Sequence, residues 1–106
     1  MNNYKTNSSK AETQRSMCDW AEATFGPVSA PVSLVDRAML EMEELKEAVV
    51  TQDHAEIGKE AADVLILLYR LADQFGLDLD QEVAGKMAIN RSRTWVQKGD
   101  GTGSHI

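Results

Sequence analysis

Two long amphipathic segments, parted only by Thr51, Gln52 and Asp53, constrain this chain more than any other feature. Upstream, Leu34, Ala38, Met42, Leu45 and Val49 recur at helical spacing. Downstream, Ile57, Ala61, Val64, Leu68, Leu71 and Phe75 do the same. So short a break permits an antiparallel helix hairpin and little else. Each helix also carries a pair of acids at i, i+3 spacing: Glu41 with Glu44, and Glu60 with Asp63. On a helical wheel Glu41 lies about 60° from the centre of its apolar stripe and Glu44 about 120°. Glu60 and Asp63 lie about 70° and 130° from theirs, in the same rotational sense. Facing antiparallel helices are related by a two-fold axis, so equal offsets converge on one edge of the pair. The spacing therefore predicts four carboxylates gathered together.

Start and stop signals place two more helices around this hairpin. Ser9 with Glu12 has capping-box spacing, so a first helix is expected from about Lys10 to Phe25, ended by Gly26-Pro27. Ser33 with Asp36 marks the start of the second helix, which runs to about Val50. Asp53 with Glu56 starts the third, which runs to about Phe75, with Gly76 as its C′ residue. Asp78 with Gln81 starts the fourth, which fades near Trp95. No strand is expected. Residues 1–8 read as a frayed end. The Gly-rich tail 99–106 reads as flexible, or as ordered only over a ligand. The 106 residues make one all-α domain.

Composition narrows the chemistry. A formal net charge of -6 argues against duplex nucleic acid and anionic membrane surfaces. It suits a protein that collects carboxylates to hold cations. One cysteine, Cys18, forbids an internal disulfide and points to a reducing, cytoplasmic setting. Neither histidine, His54 or His105, is near Cys18 in sequence, so Cys18 reads as a small core residue and not a nucleophile. No segment has the roughly 18 apolar residues needed to span a bilayer. Four converging anions need a neutralising cation, and oxygen-only ligands select a hard one, Mg²⁺ or Mn²⁺. Glu43 and Glu47 fall on the far side of the second helix, although Glu47 is a candidate auxiliary ligand. A solvated acidic face is the plain alternative, but Glu41 and Glu60 touch the apolar arc. A di-iron site would need Glu-x-x-His pairs, which are absent here.

Glu41-x-x-Glu44 followed by Glu60-x-x-Asp63 resembles the MazG-like all-alpha nucleotide pyrophosphohydrolases. Glu44-Leu45-Lys46-Glu47-Ala48, Glu60-Ala61-Ala62-Asp63-Val64-Leu65-Ile66 and Lys86-Met87-x-x-Asn90-Arg91-x-Arg93 carry the same likeness. Trp20 and Phe25-Gly26-Pro27 resemble the phage and bacterial branch assigned to dATP and dGTP. Leu40 departs from the pattern, where many relatives have a further Glu. The resemblance implies metal-dependent attack of water at the α-phosphorus of a deoxynucleoside triphosphate, releasing monophosphate and pyrophosphate. It implies Glu41, Glu44, Glu60 and Asp63 as metal ligands, with Glu41 or Glu44 taking the proton.

Lys86, Asn90 and Arg93 share one face of the fourth helix, suited to charge on the leaving pyrophosphate. The plainer reading is a basic helix end that complements the dipole. Trp20 and Phe25 are candidates to stack on the base, or core aromatics. Two other readings stand beside the purine one: the same chemistry on dUTP or dCTP, and a catalytically silent helical dimerisation or regulatory module. Beyond its main stripe the third helix carries apolar Ala62, Leu65, Ile66, Leu67 and Tyr69, more than a chain this short can cover. A four-helix bundle completed by homo-oligomerisation, as dimer or tetramer, is expected.

Overall fold

In a computed structural model the described residues, 11–106, form four helices and a small hairpin. The helices are α1 (Gln14–Phe25), α2 (Val32–Val50), α3 (His54–Gln74) and α4 (Leu79–Ser92). The strands are β1 (Trp95–Gln97) and β2 (Gly103–His105), paired antiparallel with Val96 opposite Ser104. The expected absence of strands is thus corrected. Beyond Arg93, which takes extended backbone, the chain turns back on itself. Glycines at 99 and 101 with φ of 96° and 92° supply the left-handed residues of that turn.

Helix boundaries follow local chemistry. Asp53 and Asp78 cap α3 and α4 as expected, accepting the amides of Glu56 and Gln81. The cap of α1 is Thr13, whose side chain takes the Ser16 amide while the Ser16 hydroxyl takes the Thr13 amide. The expected Ser9–Glu12 box involves Ser9, which lies outside the described residues. For α2 the Ser33 signal misleads. The helix begins at Val32, behind Pro31, so Ser33 lies inside its first turn and no side chain caps it. A proline fixed at φ -56° supplies a helical start without a capping hydroxyl.

The core is a seam between α2 and α3, with α1 laid against α3. Leu34, Ala38, Glu41 and Ala48 are the buried residues of α2, spaced as a coiled-coil stripe. This differs from the expected stripe. Met42 and Val49 stay 50% and 54% exposed, because small Ala48 rather than Val49 faces α3 and rotates Glu41 into the seam. Phe75, expected in the α3 stripe, ends the helix 63% exposed. Cys18 and Ala21 are the buried residues of α1.

Polar ties hold α1 in place. Arg15 forks onto both Asp73 carboxylate oxygens at 2.9 and 3.1 Å. The Gln14 amide donates to Leu77 O and accepts from Leu79 N, pinning the α3–α4 turn. Tyr69 donates to Asp80 across the same corner. No residue of α4 is buried, and among the described residues no large side chain is fully enclosed. The radius of gyration is 16.4 Å, against about 13 Å for a self-contained domain of this length.

The two kinds of helix start separate in a mutational test. Asp53→Ala and Asp78→Ala should each cost about 1 kcal/mol in urea unfolding. Ser33→Ala should change stability by less than about 0.5 kcal/mol.

Candidate functional site

The antiparallel approach of α2 and α3 brings the predicted acids together. One carboxylate oxygen each from Glu41, Glu60 and Asp63 lies within 4.8 Å of the others. Glu41 is buried in the seam, Glu60 is half-buried and Asp63 is exposed, so the cluster runs from core to surface. Glu44, one turn along α2, lines the same groove as Glu60. Hydrogen bonding to Glu44, loss of solvent, and the charges of Glu44 and Glu41 push Glu60 up to about 7. Its Oε2 is buried with no hydrogen-bond partner. A buried carboxylate oxygen with nothing to accept from, beside further anions, fits a hard divalent cation. The donor set, all oxygen, fits Mg²⁺ or Mn²⁺ equally.

The cluster stands between two cavities. On one side a groove of about 410 Å³ is lined by Glu44, Glu47, Thr51, Asp53, Glu56 and Glu60. Glu47, the candidate auxiliary ligand, is therefore on the groove of Glu44 and Glu60. On the other side a pocket of about 570 Å³ is lined by Glu41 and Asp63 together with Trp20, Phe25, Leu34, Arg37, Ile66, Leu67 and Arg70. Trp20 and Phe25 meet edge to face at 5.4 Å and remain 60% and 68% exposed, so they are wall residues and not core. Arg70 donates to Gly26 O at 2.7 Å and lies 6.0 Å from the Phe25 ring centre.

Lys86, Asn90 and Arg93 are elsewhere in the chain's own fold. Neither cavity at the carboxylates is lined by any of them. Lys86 borders a separate apolar cleft with Val83 and Met87. The Asn90 carbonyl accepts the Trp95 indole N–H, and Arg93 ends α4. Cys18 donates weakly to Tyr69 O at 3.7 Å, and burial pushes its thiol up, which suits a core residue and not a nucleophile. Two cations absent from the sequence-based site, Arg37 and Arg70, do line it. Arg37 stands four residues before Glu41, a spacing that announces contact on a helix. Arg70 has no such signal, because α1 and the Gly26 turn set its place.

The MazG-like family model matches residues 36–105, which include all four clustered acids. The chain belongs to the MazG-like family. It is 33% identical over 96 residues to the dATP/dGTP diphosphohydrolase of Cyanophage S-2L, covering 91% of this chain and 87% of that one. It is 35% identical over 96 residues to a dATP/dGTP diphosphohydrolase of Salmonella phage PMBT28, of which it spans only 31%. The fold is similar, at TM-score 0.69 and 30% identity, to the Cyanophage S-2L MazG-like pyrophosphohydrolase bound to dGDP and three catalytic Mn²⁺ ions per active site. That likeness covers 88% of this chain and 92% of the other.

The raised Glu60 carboxyl makes stability depend on pH. Between the ordinary carboxylate range and about 7 the folded chain keeps a proton that the unfolded chain has lost. Metal-free stability therefore falls as pH rises through that window. Glu60→Gln should remove this contribution. The variant should melt higher than the parent at pH 8 without metal, and the gap should close towards pH 4.5. A gap independent of pH would assign the effect to packing.

Proposed function

We propose that this MazG-like chain is a divalent-metal-dependent pyrophosphohydrolase that converts dGTP or dATP to the monophosphate and pyrophosphate in the cytoplasm. The convergence of Glu41, Glu60 and Asp63 oxygens within 4.8 Å, with Glu44 beside them, carries the reading. A cation held there supplies Lewis acidity and makes water a stronger nucleophile at neutral pH. Glu41 or Glu44 takes the proton of the attacking water. The aromatic wall of Trp20 and Phe25 offers a face for a purine. The cyanophage and Salmonella phage relatives support this choice of base by their assigned activity. An intact acidic cluster speaks against a silent helical module. Among the described residues no helix is long and apolar enough to cross a membrane.

One assay tests the reaction class and the base. Hydrolysis in ¹⁸O water with Mg²⁺ should label the monophosphate, and label confined to orthophosphate would refute attack at the α-phosphorus. In competition at equal concentration, dGTP and dATP should be consumed ahead of dUTP and dCTP.

Glu60→Gln and Asp63→Asn keep side-chain shape and remove ligand charge. Each should lower kcat by at least about a hundredfold, the kinetic equivalent of a few kcal/mol of lost electrostatic stabilisation. Turnover near the parental rate in both would exclude the cluster as the metal site.

We also propose a homo-oligomer. Leu65, Leu68, Val83, Met87 and Ile89 are 47%, 38%, 53%, 37% and 46% exposed on the single chain. An apolar groove of about 560 Å³ opens between Val32, Val35, Leu68, Leu71 and Phe75. A second copy would cover such surface in both chains at once. Light scattering at micromolar protein should give at least twice the chain mass of 11.7 kDa. An active species of one chain mass would overturn this.

A further inference from the structure

Arg37 sits one helical turn before Glu41, and its Nε and Nη2 both lie 3.1 Å from Glu41 Oε1. The arginine side chain is 63% exposed while the Glu41 side chain is 9% exposed. Such a pair does little for the helix. Exposed i, i+4 ion pairs contribute weakly, and the cation-first order is the poorer one.

What surrounds the pair is more telling. The pocket bordered by Glu41 and Asp63 has two cations on its wall, Arg37 and Arg70. Arg70 is committed to Gly26 O and to the Phe25 ring. The groove on the other side of the cluster is lined by acids and by no cation. A polyanion brought to the carboxylates therefore meets one exposed guanidinium. The partner of that guanidinium among the described residues is Glu41, a carboxylate that a metal ion would claim.

We propose that Arg37 changes partners on binding. It stands in for the cation on Glu41 in the metal-free chain, then grips a phosphate oxygen of the nucleotide once Glu41 ligates metal. This rests on reading the cluster as the metal site of a nucleotide hydrolase. It assigns the phosphate contact to α2 of the same chain, and not only to the basic end of α4. A planar guanidinium suits the task, since its fork matches a phosphate as well as a carboxylate.

Two binding measurements test the exchange, neither of which needs turnover. Mn²⁺ alone is titrated by the electron paramagnetic resonance signal of the free ion. The α,β-imido analogue of dGTP is then titrated at saturating Mn²⁺. In Arg37→Gln, Mn²⁺ should bind at least as tightly as in the parent, because a competing positive charge is gone. The analogue should bind at least about tenfold more weakly, the scale of one lost charge-assisted hydrogen bond. Arg37→Lys, which keeps charge without the fork, should recover part of the analogue affinity. A tenfold or greater loss of Mn²⁺ affinity in Arg37→Gln would overturn the exchange, making Arg37 an orienting partner of Glu41. Unchanged analogue affinity would overturn it as well. A parent that binds no Mn²⁺ is a separate outcome, which removes the metal reading itself.

Discussion

Ala38 and Ala48 let α2 lie against α3 with little between them, and this close approach seats Glu41 in the seam. A carboxylate there has few ways to be satisfied. Arg37 reaches it from the solvent side, and the other groups close by are carboxylates on α3. Burying a charge among like charges is costly unless a counter-charge arrives. The rest of the site follows from that conflict. Glu60 holds a proton to near neutral pH, its Oε2 has no donor, and the surrounding groove is acidic. The helix pair thus stores an unfavourable arrangement that a divalent cation held there would relieve.

The same economy of side chains leaves the single chain unfinished. Alanines and a glutamate make up much of the α2 seam, so large apolar residues point outward instead. The α4 helix contributes no buried residue, and it is held mainly through the α3–α4 corner, where Gln14, Tyr69 and Asp80 meet. An acid cluster on α2 and α3 and a loosely attached α4 divide the chain into an inner pair that carries the carboxylates and an outer layer.

Much of this was legible in the sequence. The hairpin, the paired acids and the caps at Asp53 and Asp78 rest on short-range rules that tertiary packing did not override. The buried α2 stripe is offset by about one residue from the wheel's, because a wheel weights Met42 and Val49 for hydrophobicity while the seam takes small Ala48. Ser33 looked like a cap, yet Pro31 already sets the backbone. The β1–β2 hairpin leaves no such signal, because strands of three residues carry no periodicity and its glycines read equally well as a flexible tail. Arg70 owes its place to the Gly26 turn and α1, a long-range relation that no local pattern encodes.

All four clustered acids lie between positions 41 and 63, on helices joined through Thr51, Gln52 and Asp53. Their encounter is therefore local in the chain, with a modest loop-closure cost. Docking of α1 joins residues more distant in sequence and has a greater loop-closure cost. The anions accordingly meet wherever the hairpin closes, whether or not α1 is docked. In the metal-free chain, their mutual repulsion opposes the pairing of α2 with α3 itself. The acid cluster thus sets an electrostatic load on the one helix contact that the rest of the fold is laid against.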